Sequence, residues 1–76
     1  MAKTLARLAT DRAPGTFCPS EIARALSDDW RPLMPRVRTV AATMPDITAT
    51  QQGRPVDPVT ARGPIRLARR DAPEAG

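Results

Sequence analysis

The chain has 76 residues, a net charge of +4 and an apolar fraction of 41%, and it contains one Phe, one Trp, one Cys and no His. A chain of this length holds one domain with a thin core, because small domains bury only about 60% of the surface exposed on unfolding. Without His, the commonest catalytic base is missing, and one Cys alone cannot form a tetrahedral zinc site.

The first predicted helix covers residues 2–12. Leu5, Leu8 and Ala9 recur there at the three- and four-residue spacing of one helical face. The following Pro-Gly pair, residues 14–15, ends this helix and begins a turn, because Pro and Gly together disfavour a continued helix.

The second predicted helix is short, about two turns, and follows an extended link at residues 16–17. It begins at Cys18-Pro19, because the missing N–H of Pro has no cost at the first helical position. Glu21 then falls at the third position, where a carboxylate favours the helix dipole and can reach back to the cap. The helix is predicted to end near residues 27–28.

The third predicted helix begins between Pro32 and Pro35, after a turn capped by Asp28 or Asp29, and Pro45 stops it. An apolar stripe at helical spacing gives this helix its buried side. The stripe consists of Leu33, Val37, Val40, Ala41 and Met44. The opposite side of the helix is therefore predicted to face solvent or a partner.

After the third helix the sequence pattern changes to that of strands. Residues 46–50 alternate as in a half-buried strand, and residues 51–54, with Gly53, are predicted to form a hairpin turn. Residues 55–57 return as a second strand, and a last short strand is predicted at residues 65–67.

This order of elements predicts an α+β, mainly α, winged helix-turn-helix, with three helices followed by a C-terminal β-hairpin wing. The domain is expected to cover residues 1–68, and residues 69–76 are expected to form a disordered tail. The large core side chains are predicted to be Leu5, Leu8, Ile22, Leu26, Trp30, Leu33, Val37, Val40 and Met44.

Four blocks follow one another along the chain: TFCPSEIARAL, WRPLMPRVR, GRPVDP and RGPIRL. In this order they resemble a bacterial family catalogued only as domain-of-unknown-function 3253, over roughly residues 5–67. The resemblance implies a winged-helix fold. It implies no functional residue, because the family has no established activity. The chain departs from the family at Ala6 and Ala9, where bulkier aliphatics are usual, and at Pro45-Asp46, where the family tends to have Gly.

The charge of the chain favours a polyanionic partner. Eleven of the 12 basic residues are Arg, whose planar guanidinium can donate two parallel hydrogen bonds to phosphate. We expect the third helix and the wing to contact nucleic acid, and Arg69-Arg70 to add a non-specific phosphate arm. The predicted nucleic-acid-binding residues are Arg31, Arg36, Arg38, Thr39, Arg54, Arg62 and Arg66. The alternative is a high-GC genome that favours Arg, with a merely solvated helix face.

The leading functional hypothesis is a DNA-binding domain without catalytic activity, metal, cofactor or small-molecule substrate, because the chain has no nucleotide-binding motif. Cys18 is interpreted as a helix cap rather than a nucleophile, since no base accompanies it. The first alternative is a protein-interaction, adaptor or homodimerisation module of the same fold. The second and weaker alternative is an RNA-contacting accessory domain. It is weaker because proteins that bind single strands stack bases on several aromatic residues, and this chain has only two.

The sequence also predicts a cytoplasmic protein. No stretch approaches the roughly 20 apolar residues that span a bilayer, and no apolar run follows Met1-Ala2-Lys3-Thr4 as in a secretory signal. A single Cys cannot form an internal disulfide, and its use is typical of a reducing compartment.

Overall fold

The computed structural model describes residues 1–70 of the chain. Three helices precede three strands, which confirms the predicted fold class: an α+β, winged-helix-like domain. Within these residues no helix is both long enough and apolar enough to cross a membrane. The elements are α1 (Ala2–Arg12), α2 (Pro19–Leu26), a 3-10 turn (Arg31–Leu33), α3 (Met34–Thr43), β1 (Ile47–Gln51), β2 (Arg54–Pro55) and β3 (Arg66–Arg69).

Glu21 joins the beginning of α2 to the end of α1. Its carboxylate accepts a hydrogen bond from the backbone N–H of Cys18 at 3.0 Å, as a capping box requires. The same carboxylate forms an ion pair with Arg12, the last residue of α1. The N–H of Cys18, followed by the guanidinium of Arg12, lowers the pKa of Glu21 below its ordinary value. One carboxylate thus fixes the angle between two helices.

The sheet is antiparallel, in the order β2-β1-β3. β1 and β3 pair over four residues, from Ile47 opposite Arg69 to Thr50 opposite Arg66. The turn from β1 to β2 has positive φ at both central residues, 52° at Gln52 and 81° at Gly53. This is the two-residue geometry that matches the twist of a hairpin, and Gly at the second position accommodates it without strain.

The link between α1 and α2 adds a further strand-like pairing to the sheet. The N–H of Phe17 donates to the carbonyl of Leu67 at 2.8 Å, and the N–H of Leu67 donates to the carbonyl of Phe17 at 2.7 Å. The Phe17 side chain is completely buried and is the largest such side chain in the described residues. A link that the sequence predicted only as extended therefore closes the sheet against the helices.

The core lies between the three helices and one face of the sheet. Leu5, Ile22 and Val37 are completely buried, as predicted, and Leu8 and Val40 are half-buried against them. Within residues 1–70 the buried core residues, besides Pro19, are Leu5, Ala9, Phe17, Ile22, Ala23, Val37, Ala41, Ile47, Ala49, Ile65 and Leu67. Trp30, Leu33 and Met44 also pack at the edge of this core rather than inside it.

Two predictions about the limits of the fold are corrected. Leu26 was predicted to be in the core, but its side chain is 42% exposed, because it is the last residue of α2 and lies beyond the end of the core. β3 extends to Arg69, and the N–H of Arg70 donates to the carbonyl of Asp46. Residue 69 thus belongs to the sheet rather than to the predicted tail, and residues 71–76 lie outside the described part.

We expect Phe17→Ala to lower the free energy of unfolding by about 3–5 kcal/mol, because it leaves a cavity beside Leu67. Since a domain has only about 0.05–0.15 kcal/mol of stability per residue, this loss is a large part of the total stability of the domain. Leu26→Ala is the control and should cost about 1 kcal/mol or less. Urea denaturation followed by far-UV circular dichroism measures both, and equal losses would contradict the described core.

We expect Glu21 to contribute a pH-dependent part of the stability. Its pKa is lower in the folded protein, so the contribution is complete above the unfolded pKa and is lost as the pH falls through the folded pKa. The free energy of unfolding of the wild type should therefore exceed that of Glu21→Gln at neutral pH, and the difference should shrink below pH 4.5. Urea titrations between neutral and acidic pH test this, and a pH-independent difference would refute it.

Candidate nucleic-acid interface

The side of α3 that faces away from the core forms a continuous exposed surface, which we call the α3 outer face. Val37 and Ala41 point into the core on the other side of the helix, as the apolar stripe predicted. The α3 outer face consists of Pro35, Arg36, Thr39, Ala42 and Thr43. Arg36 carries the formal charge of this set, and the other four side chains are small.

The two threonine hydroxyls of the α3 outer face bond to the helix itself. Thr39 Oγ1 donates to the carbonyl of Pro35 at 3.0 Å, and Thr43 Oγ1 donates to the carbonyl of Val40 at 2.7 Å. Such local bonds are common for Thr inside helices. Because the hydroxyl hydrogens are used, these positions offer a partner methyl groups and hydroxyl oxygens that can accept but not donate hydrogen bonds.

Arg38 does not lie on the outer face, contrary to the sequence prediction. It is half-buried at the flank of α3, and its guanidinium donates to two carbonyls of the following loop. Nη1 bonds to Ala61 at 2.6 Å and Nη2 bonds to Gly63 at 2.7 Å. The planar guanidinium fits two neighbouring acceptors at once. Arg38 is thus a positioning residue that holds residues 57–63, which we call the wing loop, against α3.

The wing loop is also held from within and from β1. Asp57 Oδ1 accepts a hydrogen bond from the N–H of Val59 at 2.8 Å, and the carbonyl of Asp57 accepts one from Ala61 at 2.9 Å. From β1, the side-chain amide of Gln51 donates to the carbonyl of Arg62. These bonds fix the loop in one conformation, with Arg62 and Val59 exposed.

Val59 faces α3 across a shallow groove. The groove has a volume of about 320 Å³ and is lined by Met34, Pro35, Arg38, Thr39 and Val59. A second depression, of about 300 Å³, lies on the other flank of the helix, where Arg36 and Val40 join Pro35 and Thr39. Pro35 and Thr39 line both, so they form a low ridge between the wing loop and Arg36.

Sequence reasoning missed Val59 and the residues that hold its loop. The dipeptide Asp57-Pro58 was an available signal, because Asp before Pro favours a turn in which the carboxylate bonds to a backbone N–H two residues on. The contacts of Arg38 and Gln51 were not available from the sequence. They join residues that are 25 and 11 positions apart.

Arg31 lies beside Trp30 at the entry to α3. The guanidinium carbon of Arg31 is 4.6 Å from the centre of the Trp30 ring, and that of Arg24 is 4.5 Å from it. Both distances are typical of cation–π contacts. Arg31 remains exposed, next to a turn that also carries the exposed Asp28 and Asp29.

Arg66 is placed apart from α3 by its hydrogen bonds. Its guanidinium donates to Thr16 Oγ1 at 2.9 Å, to the Thr16 carbonyl at 3.1 Å and to Cys18 Sγ at 2.8 Å. These partners belong to the link between α1 and α2. The structure therefore gives Arg66 a role in holding this link to β3 and does not bring it to the α3 outer face.

Three of the arginines that were predicted to bind nucleic acid are exposed. They are Arg36 on α3, Arg54 in the hairpin and Arg62 in the wing loop. Within residues 1–70 the ion pair is formed by Arg12 and Glu21, so the charge of these three remains uncompensated by a carboxylate contact. All 12 basic residues of the chain lie in the described part, against six of the eight acidic ones. The α3 outer face thus carries one positive charge, at Arg36, and the wing loop carries Arg62 together with the exposed Asp57.

We expect Arg38→Met to release the wing loop, because Met keeps most of the length of the side chain but donates no hydrogen bond. The loss of two bonds from a charged donor, one of them in an exposed position, should cost about 1–2 kcal/mol. The amide of Ala61 should then exchange faster with deuterium in an NMR measurement. Arg36→Met is the matched control and should leave this exchange unchanged; slow exchange in both variants would contradict the role of Arg38.

The comparison with known families agrees with the architecture. A family model described as "Protein of unknown function (DUF3253)" matches residues 1–70. The chain therefore belongs to this family, as the four sequence blocks indicated. No curated protein matches the chain.

Proposed function

We propose that this DUF3253 protein binds duplex DNA, without a catalytic step, through the α3 outer face, the wing loop and the tip of the hairpin. The observation that carries the proposal is the fixed position of the wing loop beside α3. Arg38 and Gln51 hold the loop that carries the exposed Arg62 beside the flank of α3. In winged helix-turn-helix proteins, the third helix enters the major groove while flanking elements contact the backbone.

Each element has a distinct role in the proposed complex. Arg36 lies on the helix that enters the groove, where a guanidinium can bond to guanine or to a phosphate. Arg62 and Arg54 lie on the wing loop and at the hairpin, and they contact phosphates beside the groove. Arg31, at the entry to α3, extends this contact along the backbone. Arg38 touches no DNA and acts through the position of the wing loop.

The small side chains of α3 support this arrangement. Ala42, Thr39 and Pro35 let the helix approach base edges closely, because none of them projects far from the backbone. An α-helix with short side chains fits a major groove about 12 Å wide.

The proposed function requires the protein to share a compartment with the chromosome. In a bacterium, which the resemblance implies, that compartment is the cytoplasm.

A salt series tests the proposal. We expect the wild type to bind a random-sequence duplex, with an affinity that falls as salt rises, by about 0.9 in log–log slope for each phosphate contact. The double variant Arg36→Ala with Arg62→Ala should lose about 1.8 from that slope. The matched control is Lys3→Ala with Arg7→Ala, which removes the same charge from the exposed side of α1. It should leave the slope nearly unchanged.

Two outcomes would overturn the proposal. Equal losses in the two double variants would mean that net charge, rather than this surface, attracts DNA. No binding by the wild type at low salt would remove DNA as the partner. It would favour the alternative, in which the same fold binds a protein or a second copy of itself, and the exposed Leu26 would be the first residue to test.

A further inference from the structure

From the position of Val59 we infer that it forms, together with Pro35 and Thr39, an apolar contact surface for the C5-methyl groups of thymine in the major groove. The inference rests on the proposed DNA-binding function and names the base chemistry that this surface recognises. It concerns one flank of the α3 outer face, where the wing loop meets the helix.

The first argument is the exposure of Val59. Val59 and Leu26 are the large apolar residues that residues 1–70 expose, and the side chain of Val59 is 52% exposed. Leu26 is exposed because it ends a helix, whereas Val59 is held outward by a specific set of bonds. Asp57 fixes its N–H, and Arg38 fixes the loop on its C-terminal side. A rigid apolar side chain loses little entropy on binding.

The second argument is the chemistry of the facing helix. The Thr39 hydroxyl donates its hydrogen bond to the carbonyl of Pro35, so it offers a partner its methyl group and an oxygen that can accept but not donate. Pro35 offers ring methylenes and has no N–H. Across the groove, Val59 offers two further methyl groups. The three side chains therefore recognise a partner through apolar contact and cannot distinguish it by donating hydrogen bonds.

The third argument is the match with DNA. Along the major groove, bases present hydrogen-bonding groups and one apolar group, the C5-methyl of thymine. The minor groove presents no methyl group. Arg36 lines one side of the ridge, and the wing loop that carries Arg62 lies on the other side, so a duplex held by its phosphates would bring base edges to the three apolar side chains. Thymine is therefore the base that this apolar surface would contact.

The test uses an alternating dA-dT duplex and the same duplex with deoxyuridine in place of thymidine, which differs by the methyl groups alone. Burying one methylene-sized group is worth about fourfold in affinity. We expect the wild type to bind the thymine duplex about fourfold or more tightly, with equal salt slopes for the two duplexes.

Two variants remove the methyl contacts while keeping the fold. Val59→Ala shortens an exposed side chain, and Thr39→Ser removes a methyl group while keeping the hydroxyl that bonds to Pro35. Each should reduce the preference for thymine, and the double variant should reduce it further than either single change, to what Pro35 alone supports. Leu26→Ala, at the other exposed apolar residue, should keep the full preference.

The outcomes separate this inference from the function on which it rests. Salt-dependent binding of both duplexes with equal affinity by the wild type would overturn thymine recognition and leave DNA binding standing. A double variant that keeps the full wild-type preference would assign the methyl contact to residues other than Val59 and Thr39 and would also overturn the inference. Binding to neither duplex at low salt would overturn both proposals.

Discussion

The pairing of Phe17 with Leu67 is the interaction on which the rest of the molecule depends. Two backbone hydrogen bonds join a link near the N-terminus to the last strand, and the Phe17 ring fills the centre of a core that has few large side chains. This contact closes the chain over 50 residues and fixes the sheet under the helices. The positions of α3 and of the wing loop follow, because β1 connects them to the same sheet.

Local patterns predicted most of the helices, because the signals that define a helix lie within a few residues of one another. α1 has the predicted limits, and the face of α3 that carries Val37 is buried as its spacing indicated. The same pattern assigned Leu26 to the correct side of α2 but could not tell where the core ends along the axis. The end of β3 was also missed, because Arg69 pairs with Ile47, and that partner is distant in sequence.

The candidate site was predicted less well than the fold, for a related reason. Sequence alone treats arginines as equivalent cations, and the structure divides them by their partners. Arg38 and Arg66 donate to carbonyl, hydroxyl and thiol groups inside the protein, whereas Arg36 and Arg62 remain exposed on the surface near the groove. Only the three-dimensional arrangement of the backbone carbonyls decides which arginine belongs to which class.

The internal bonds of Arg38 bear on the composition of the chain. A lysine has a single ammonium on a flexible stem. It cannot donate to two separate carbonyls with the fixed geometry of a planar guanidinium. Arg38 donates to two acceptors and Arg66 to three. Replacing either residue by lysine would keep the charge but lose this set of hydrogen bonds. Geometry therefore favours arginine over lysine at these two positions, whatever the base composition of the genome.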